Sequence, residues 1–193
     1  MRAGTVLRVA VLVAVSWAMA AWPASACDES TPWRVRSLDP KIVETLREGD
    51  RLSASFHRLR VRIDQSDGVV YLENAPCPVT HLQSCLLHHV GLAGGGKYRY
   101  LRIHVNLDSF ALHGLAVRDL IPIVGHELQH AVEVLDDPNA RSAVGILGLL
   151  LRLGEPLQLA REGTAYETPE AQKMEKQIAE EVAKSLKPKR ARR

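Results

Sequence analysis

The sequence predicts an α+β fold in one domain: a small mixed or antiparallel sheet packed on one buried helix, followed by a helical C-terminal part. Three patterns carry that expectation. From Tyr100 to Leu107 the apolar Leu101, Ile103, Val105 and Leu107 alternate with Tyr100, Arg102, His104 and Asn106, the period of two of a strand with one buried face. From Asp119 to Leu135 apolar residues surround His126-Glu127-Leu128-Gln129-His130, as in a buried amphipathic helix. Beyond Asp137 the apolar spacing is helical throughout.

The chain opens with Arg2 and Arg8, then an apolar run from Val9 to Trp22, then Ala24-Ser25-Ala26, the small-x-small form of a signal-peptidase site. The run is short for a membrane span, which takes about 20 residues. Residues 1–26 therefore read as a cleaved secretory signal, with an uncleaved anchor as the alternative. Residues 27–183 are left as the domain of an exported protein, periplasmic or secreted. Cys27 would be the first mature residue, where a bacterial lipoprotein carries its lipid, but Ala24 stands where a lipobox has Leu. Lipid anchoring at Cys27 is the lesser alternative. Cys77 and Cys85, the other two cysteines, are close enough in sequence to close a small disulfide loop in an oxidising compartment.

Asp39-Pro40 starts a short helix through Arg47 with Ile42, Val43 and Leu46 on one face. Leu52, Phe56, Leu59 and Ile63 fall at helical spacing until Ser66-Asp67-Gly68 breaks it, and Val69–Glu73 is a strand candidate. Gly94-Gly95-Gly96 is a turn into the Tyr100–Leu107 strand. The buried helix has Asp119 placed to cap it, Pro122 in its first turn and Asp136-Asp137-Pro138 as its stop. A further helix is expected from Pro138 to about Leu153, closed by Gly154, and a last one turns Ala171, Met174, Ile178 and Val182 inward.

Net charge is +3, but six of the 25 basic residues lie in residues 184–193 and two in the leader. That leaves 17 basic against 22 acidic residues, so residues 27–183 carry a net −5. A short basic tail on an acidic body reads as a solvated, disordered end, and an exported protein meets little nucleic acid. Contact of the tail with an anionic envelope surface is the one partner it suggests; oligomeric state is not legible.

His126-Glu127-Leu128-Gln129-His130 spells H-E-x-x-H. Residues four apart on a helix stand about 40° apart around the axis and one turn up it, so both imidazoles can reach one Zn²⁺. Glu127 projects beside them, where a carboxylate can act as general base toward a water acidified by the metal. The pattern points to metal-assisted hydrolysis of a peptide bond, with a peptide or protein as substrate. The plain alternative is two ordinary histidines on a packed helix. Glu127 to His130 is also E-x-x-H, the half-motif of di-iron bundles, but no second copy exists in the chain.

The stretches Ser66–Glu73, Tyr98–Val105, Gly125–Glu133 and Tyr166–Thr168 resemble a group of uncharacterised exported bacterial proteins with zincin-type motifs. The resemblance covers roughly residues 38 to 186. It implies a zincin-like fold and a gluzincin-like zinc metallopeptidase. Metzincins take a third His from H-E-x-x-H-x-x-G-x-x-H, but Glu133 stands where that Gly belongs and Asp136 where that His belongs. Gluzincins take a Glu from a later helix, and Glu155, Glu162, Glu167 and Glu170 are the candidates. Glu167 matches the resembling proteins and lies 37 residues past His130, although Thr164-Ala-Tyr-Glu167 is also a capping box that would occupy the carboxylate. The expected zinc set is therefore His126, His130 and Glu167, with Glu127 as base. The Asp that thermolysin-like enzymes carry four residues after that Glu is replaced by Ala171.

Glu133 shares the histidines' face but stands one turn too high to reach the same ion, so it is expected to support a ligand or face solvent. His57, His81, His88, His89 and His104 have no ligand spacing and default to surface or strand-face roles; His113 and Tyr166 are candidates to stabilise an oxyanion. The Tyr100–Leu107 strand is expected at the cleft edge, where an extended peptide would pair with it. The rival function is a catalytically silent, metal-stabilised binding module of the envelope, against which the presence of Glu127 argues.

Overall fold

A short extended segment, β1 (Val35–Ser37), runs into Asp39, whose carboxylate accepts the Lys41 and Ile42 N–H groups at 2.8 and 3.2 Å and starts α1 (Pro40–Leu52) with Pro40 in the first turn. Ser53 closes α1 and caps α2 (Ala54–Asp64) through a 3.0 Å bond from Phe56 N–H to its hydroxyl. The first helix thus runs a turn past Arg47, because no breaker intervenes before Ser53. The computed structural model describes residues 33–79, 82–112, 114, 116–157 and 165–187. The expected leader, Cys27, His81, His113, Glu162 and residues 188–193 of the basic tail lie outside that description.

Strand β2 (Gly68–Asn74) lies parallel to β1, and a parallel pair needs a crossover, which α1 and α2 supply. Strands β3 (Ser84–Leu86) and β4 (Gly91–Ala93) follow, and then β5 (Tyr98–Val105), which lies parallel to β2 along one edge. Both β3 and β4 pair antiparallel with the other edge of β5. The sheet is therefore mixed, and β5 is paired on both sides. The expectation that the Tyr100–Leu107 strand borders a cleft is corrected: on that side β3 lies outside it, as an edge strand opposite β1. Gly94, Gly95 and Gly96, with φ of 59°, 67° and 87°, make the β4–β5 turn, a left-handed path that side chains resist. Cys77 and Cys85 are bonded, Cα atoms 6.0 Å apart, tying the approach to β3 onto the strand itself.

Leu101, Ile103 and Val105 are buried as the alternation requires, while Leu107 has left the strand. Asn106 is the reason. Its carboxamide accepts the Ser109 N–H at 3.1 Å and opens the short helix α3 (Leu107–Leu112).

Helix α4 (Val117–Asp136) carries the H-E-x-x-H run and begins two residues before Asp119. Asp119 accepts the Ala116 N–H at 2.8 Å from inside the first turn, so Pro122 lies in the second. From Val124 to Leu135 nearly every side chain is buried, because α1, α2, the sheet and the last helix all pack on it. Its far end is held by Arg99 of β5, a buried guanidinium bonded to the Val134 and Asp137 carbonyls at 2.9 Å and to Asp67 at 2.6 Å. The metal-motif helix is thereby tied to the sheet.

Helix α5 (Ala143–Leu153) starts at a Ser142 cap, later than Pro138, because Asp137 turns the chain through a 2.8 Å bond with Asn139 N–H. Two strands follow, β6 (Glu155–Leu157) and β7 (Ala165–Glu167), antiparallel to each other and, like β1, β3 and β4, absent from the sequence reading. Thr168 then caps α6 (Pro169–Ser185), which packs Ala171, Ile178 and Val182 inward against α4. A methyl group at Gly125 would stand 2.3 Å from Ile178 Cδ1, so the absent side chain sets the spacing of these two helices. None of the described helices is long and apolar enough to cross a membrane.

Candidate metal centre

His126 and His130 stand one turn apart on α4, and their Nε2 atoms are 3.2 Å from each other. Glu167, at the end of β7, brings Oε1 to 3.3 Å from His126 Nε2 and 3.6 Å from His130 Nε2. The three expected ligands thus converge. Ligand atoms bound at about 2.0–2.1 Å to one tetrahedral ion must stand about 3.3 Å apart. The three edges of this triangle bracket that value.

The α6 cap is Thr168, whose hydroxyl accepts the Ala171 N–H at 3.2 Å, while Glu167 Oε1 accepts the Thr168 N–H at 3.0 Å and still faces both imidazoles. Glu167 precedes the helix that Thr168 caps, and Thr164 of the expected capping box lies outside the described residues. Gly154 lets the strand come close: a methyl there would meet the Glu167 carbonyl oxygen at 2.8 Å. Of the other described candidates, Glu155 and Glu170 are exposed and outside the cluster.

Each imidazole is held from behind by a carboxylate. His130 Nδ1 lies 3.2 Å from Glu133 Oε2, and Glu133 in turn accepts the Thr168 hydroxyl at 2.9 Å. His126 Nδ1 lies 3.0 Å from Glu175 Oε2 on α6. A carboxylate only accepts, so each Nδ1 keeps its proton, which leaves Nε2 as the nitrogen a cation in the triangle would meet. Glu133 therefore supports a ligand. Glu175 was missed; its signal was a charge in the inward stripe of α6, beside Met174 and one turn past Ala171.

Three electron-rich atoms facing each other without a cation repel. Burial alone would lower the His126 pKa, but Glu167, Glu175 and Glu127 outweigh it and push it up to about 10. His130 is likewise raised, to about 9, against burial, by Glu133, Glu167 and Glu127. With the Nε2 atoms 3.2 Å apart the pair titrates as a unit, and its direction is up. Burial raises the Glu167 carboxyl, yet the two imidazoles hold it down to about 2. The cluster is built to receive positive charge, whether protons or a metal ion.

Glu127 is 4 % exposed and borders the same cleft, a cavity of about 340 Å³ lined by residues of β3, α4, α5, β7 and α6. Its Oε1 accepts the Ser84 hydroxyl at 2.7 Å, while its Oε2 is buried with no hydrogen-bond partner. Residues 82–86 line the cleft, and no described strand pairs with the second edge of β3. His88, expected on the surface or a strand face, is instead half-buried in the cleft wall, its ring 6.4 Å from that of Tyr166. Burial and the neighbouring His130 lower its pKa. His57 and His104 keep the expected roles, beside Asp50 and the Pro76 carbonyl.

No family model matches this chain, and no curated protein or solved structure does either.

Proposed function

We propose that the protein is a zinc metallopeptidase of gluzincin character on a zincin-like fold. One observation carries the reading: a triangle of two imidazoles and a carboxylate at tetrahedral ligand spacing borders the same cleft as a buried carboxylate with one unpartnered oxygen. Two nitrogens and one oxygen suit Zn²⁺, which keeps a fourth position open in catalytic sites. Bound there, zinc would acidify a water and polarise the substrate carbonyl.

The chain's own groups do the rest. Glu127 takes the proton from the attacking water through Oε2 and passes it to the departing amine, so one carboxylate serves as base and then as acid. Glu133 and Glu175 hold the imidazoles in the tautomer that presents Nε2. The unpaired edge of β3 offers backbone groups to an extended peptide along the cleft. Tyr166 and His88 offer donors to the carbonyl oxygen as it gains charge, His88 as a neutral imidazole at pH 7. The Cys77–Cys85 bond fits a protein exported to an oxidising compartment.

The test is Glu127→Gln. Purified protein should hold about one zinc per chain, and the variant should keep that zinc and the fold while losing hydrolysis of a peptide library by several orders of magnitude. A variant as active as wild type removes Glu127 as the base. Wild type that binds zinc and peptides but cleaves nothing, with the variant binding equally, makes the protein a binding module.

A further inference from the structure

We infer that Ser84 is a positioning residue for the Glu127 carboxylate, an inference that rests on the reading of Glu127 as general base. The Ser84 hydroxyl donates to Glu127 Oε1 at 2.7 Å. No other described group bonds to the carboxylate, and Oε2 is buried without a partner. A carboxylate with one oxygen engaged and one free takes a proton preferentially at the free oxygen. The single hydrogen bond thus decides which oxygen faces the reaction and stops the group from turning about its last torsion, which is otherwise broad.

Ser84 is itself held firmly. It is paired with Val105 of β5, with the Asn106 N–H to Gln83 carbonyl bond (2.9 Å) on one side of β3 and the Leu87 N–H to Arg102 carbonyl bond (2.9 Å) on the other. The next residue is Cys85, clamped to Cys77. A hydroxyl on the edge strand thereby transmits the position of the strand to a base on α4. A peptide aligned on β3 and the group that activates its attacker then share one reference frame, which is what a reaction needing sub-ångström alignment requires.

The test is Ser84→Ala beside Ser84→Thr, which keeps the hydroxyl. In Ser84→Ala zinc content and KM should stay at wild-type values while kcat falls on the order of 10²-fold; Ser84→Thr should restore most of it. A second readout needs no turnover. Ser84→Ala should lower the thermal midpoint in the wild-type background and leave it unchanged in Glu127→Ala, because the partner is then gone. Undiminished kcat in Ser84→Ala, no rescue by Ser84→Thr, or equal midpoint shifts in both backgrounds overturns the inference. An active wild type with an unaffected Ser84→Ala removes the inference alone, whereas a zinc-loaded wild type that cleaves nothing removes the parent reading and this inference with it.

Discussion

Glu175 of α6 and His126 of α4 meet across the helix pair, Oε2 to Nδ1 at 3.0 Å, so the aim of the His126 imidazole depends on how closely two helices pack. Helix spacing and ligand geometry are one variable in this fold.

Metal affinity should divide the acidic residues by position. His126→Ala, His130→Ala and Glu167→Ala should each empty the site, since three ligands are the minimum for a tight zinc centre. Glu175→Ala and Glu133→Ala should weaken binding about 10- to 100-fold while leaving stoichiometry intact. Glu170→Ala, on an exposed first-turn carboxylate, should change nothing. Competition with a chromophoric chelator measures all six, and a Glu170 effect as large as that of Glu167 would move the third ligand.

The pH dependence of stability should reverse with metal. In metal-free protein the raised histidines stabilise the fold fully below their ordinary value of 6.5 and lose that contribution as pH climbs through about 9 to 10. Glu167, lowered to about 2 from 4.5, contributes above 4.5 and stops contributing as pH falls toward 2. These groups therefore favour the metal-free fold most between pH 4.5 and 6.5. Zinc must displace the same protons, so the gain in midpoint on adding it should grow as pH rises through neutrality and beyond. Calorimetry with and without zinc across that range checks the sign, and a gain that shrinks with pH contradicts it.

Gly125→Ala should lower zinc affinity although residue 125 binds nothing. The added methyl collides with Ile178 Cδ1, and the resulting shift of α6 carries Glu175 away from His126. Overpacking of this kind costs about 1–3 kcal/mol. Gly148→Ala is the control: its nearest neighbour is Arg152 Nη1 at 3.8 Å, so the change should leave metal binding alone and stabilise α5 by up to about 1 kcal/mol. Thermal unfolding and zinc titration of the two variants separate the effects.

Removing the disulfide should cost about 2.5 kcal/mol, the loop entropy of a crosslink spanning eight residues. The Cys77→Ser, Cys85→Ser double variant should therefore melt several degrees lower while holding its zinc, because no ligand comes from β3. Loss of zinc in that variant would show that the edge strand supports the metal site directly.

Strands β2 and β5 and the helices that bury an apolar stripe were legible, because periodicity reports burial. Helix ends were less so: Asp119 looks like a cap but works from inside the first turn, since any short carboxylate near a helix start can accept a backbone N–H. Strands β6 and β7 are three residues each, too short for a period to register. The convergence of His126, His130 and Glu167 was readable from H-E-x-x-H and a later Glu, while the places of Ser84, His88 and Glu175 were not, because their partnership with the motif is made by tertiary packing and leaves no spacing in the sequence. The cleft edge was misassigned for a related reason. Regular alternation marks β5 as the best strand, and the best strand sits in the middle of the sheet, with the weak three-residue β3 outside it.

His130 and Glu167 are 37 residues apart, and Glu175 lies further on. Synthesis delivers the two imidazoles first, Glu167 with β7, and Glu175 only with α6. On the metal reading, a chain cut ahead of β7 would keep two of the three donors, and one cut ahead of α6 would keep all three and lose the carboxylate behind His126.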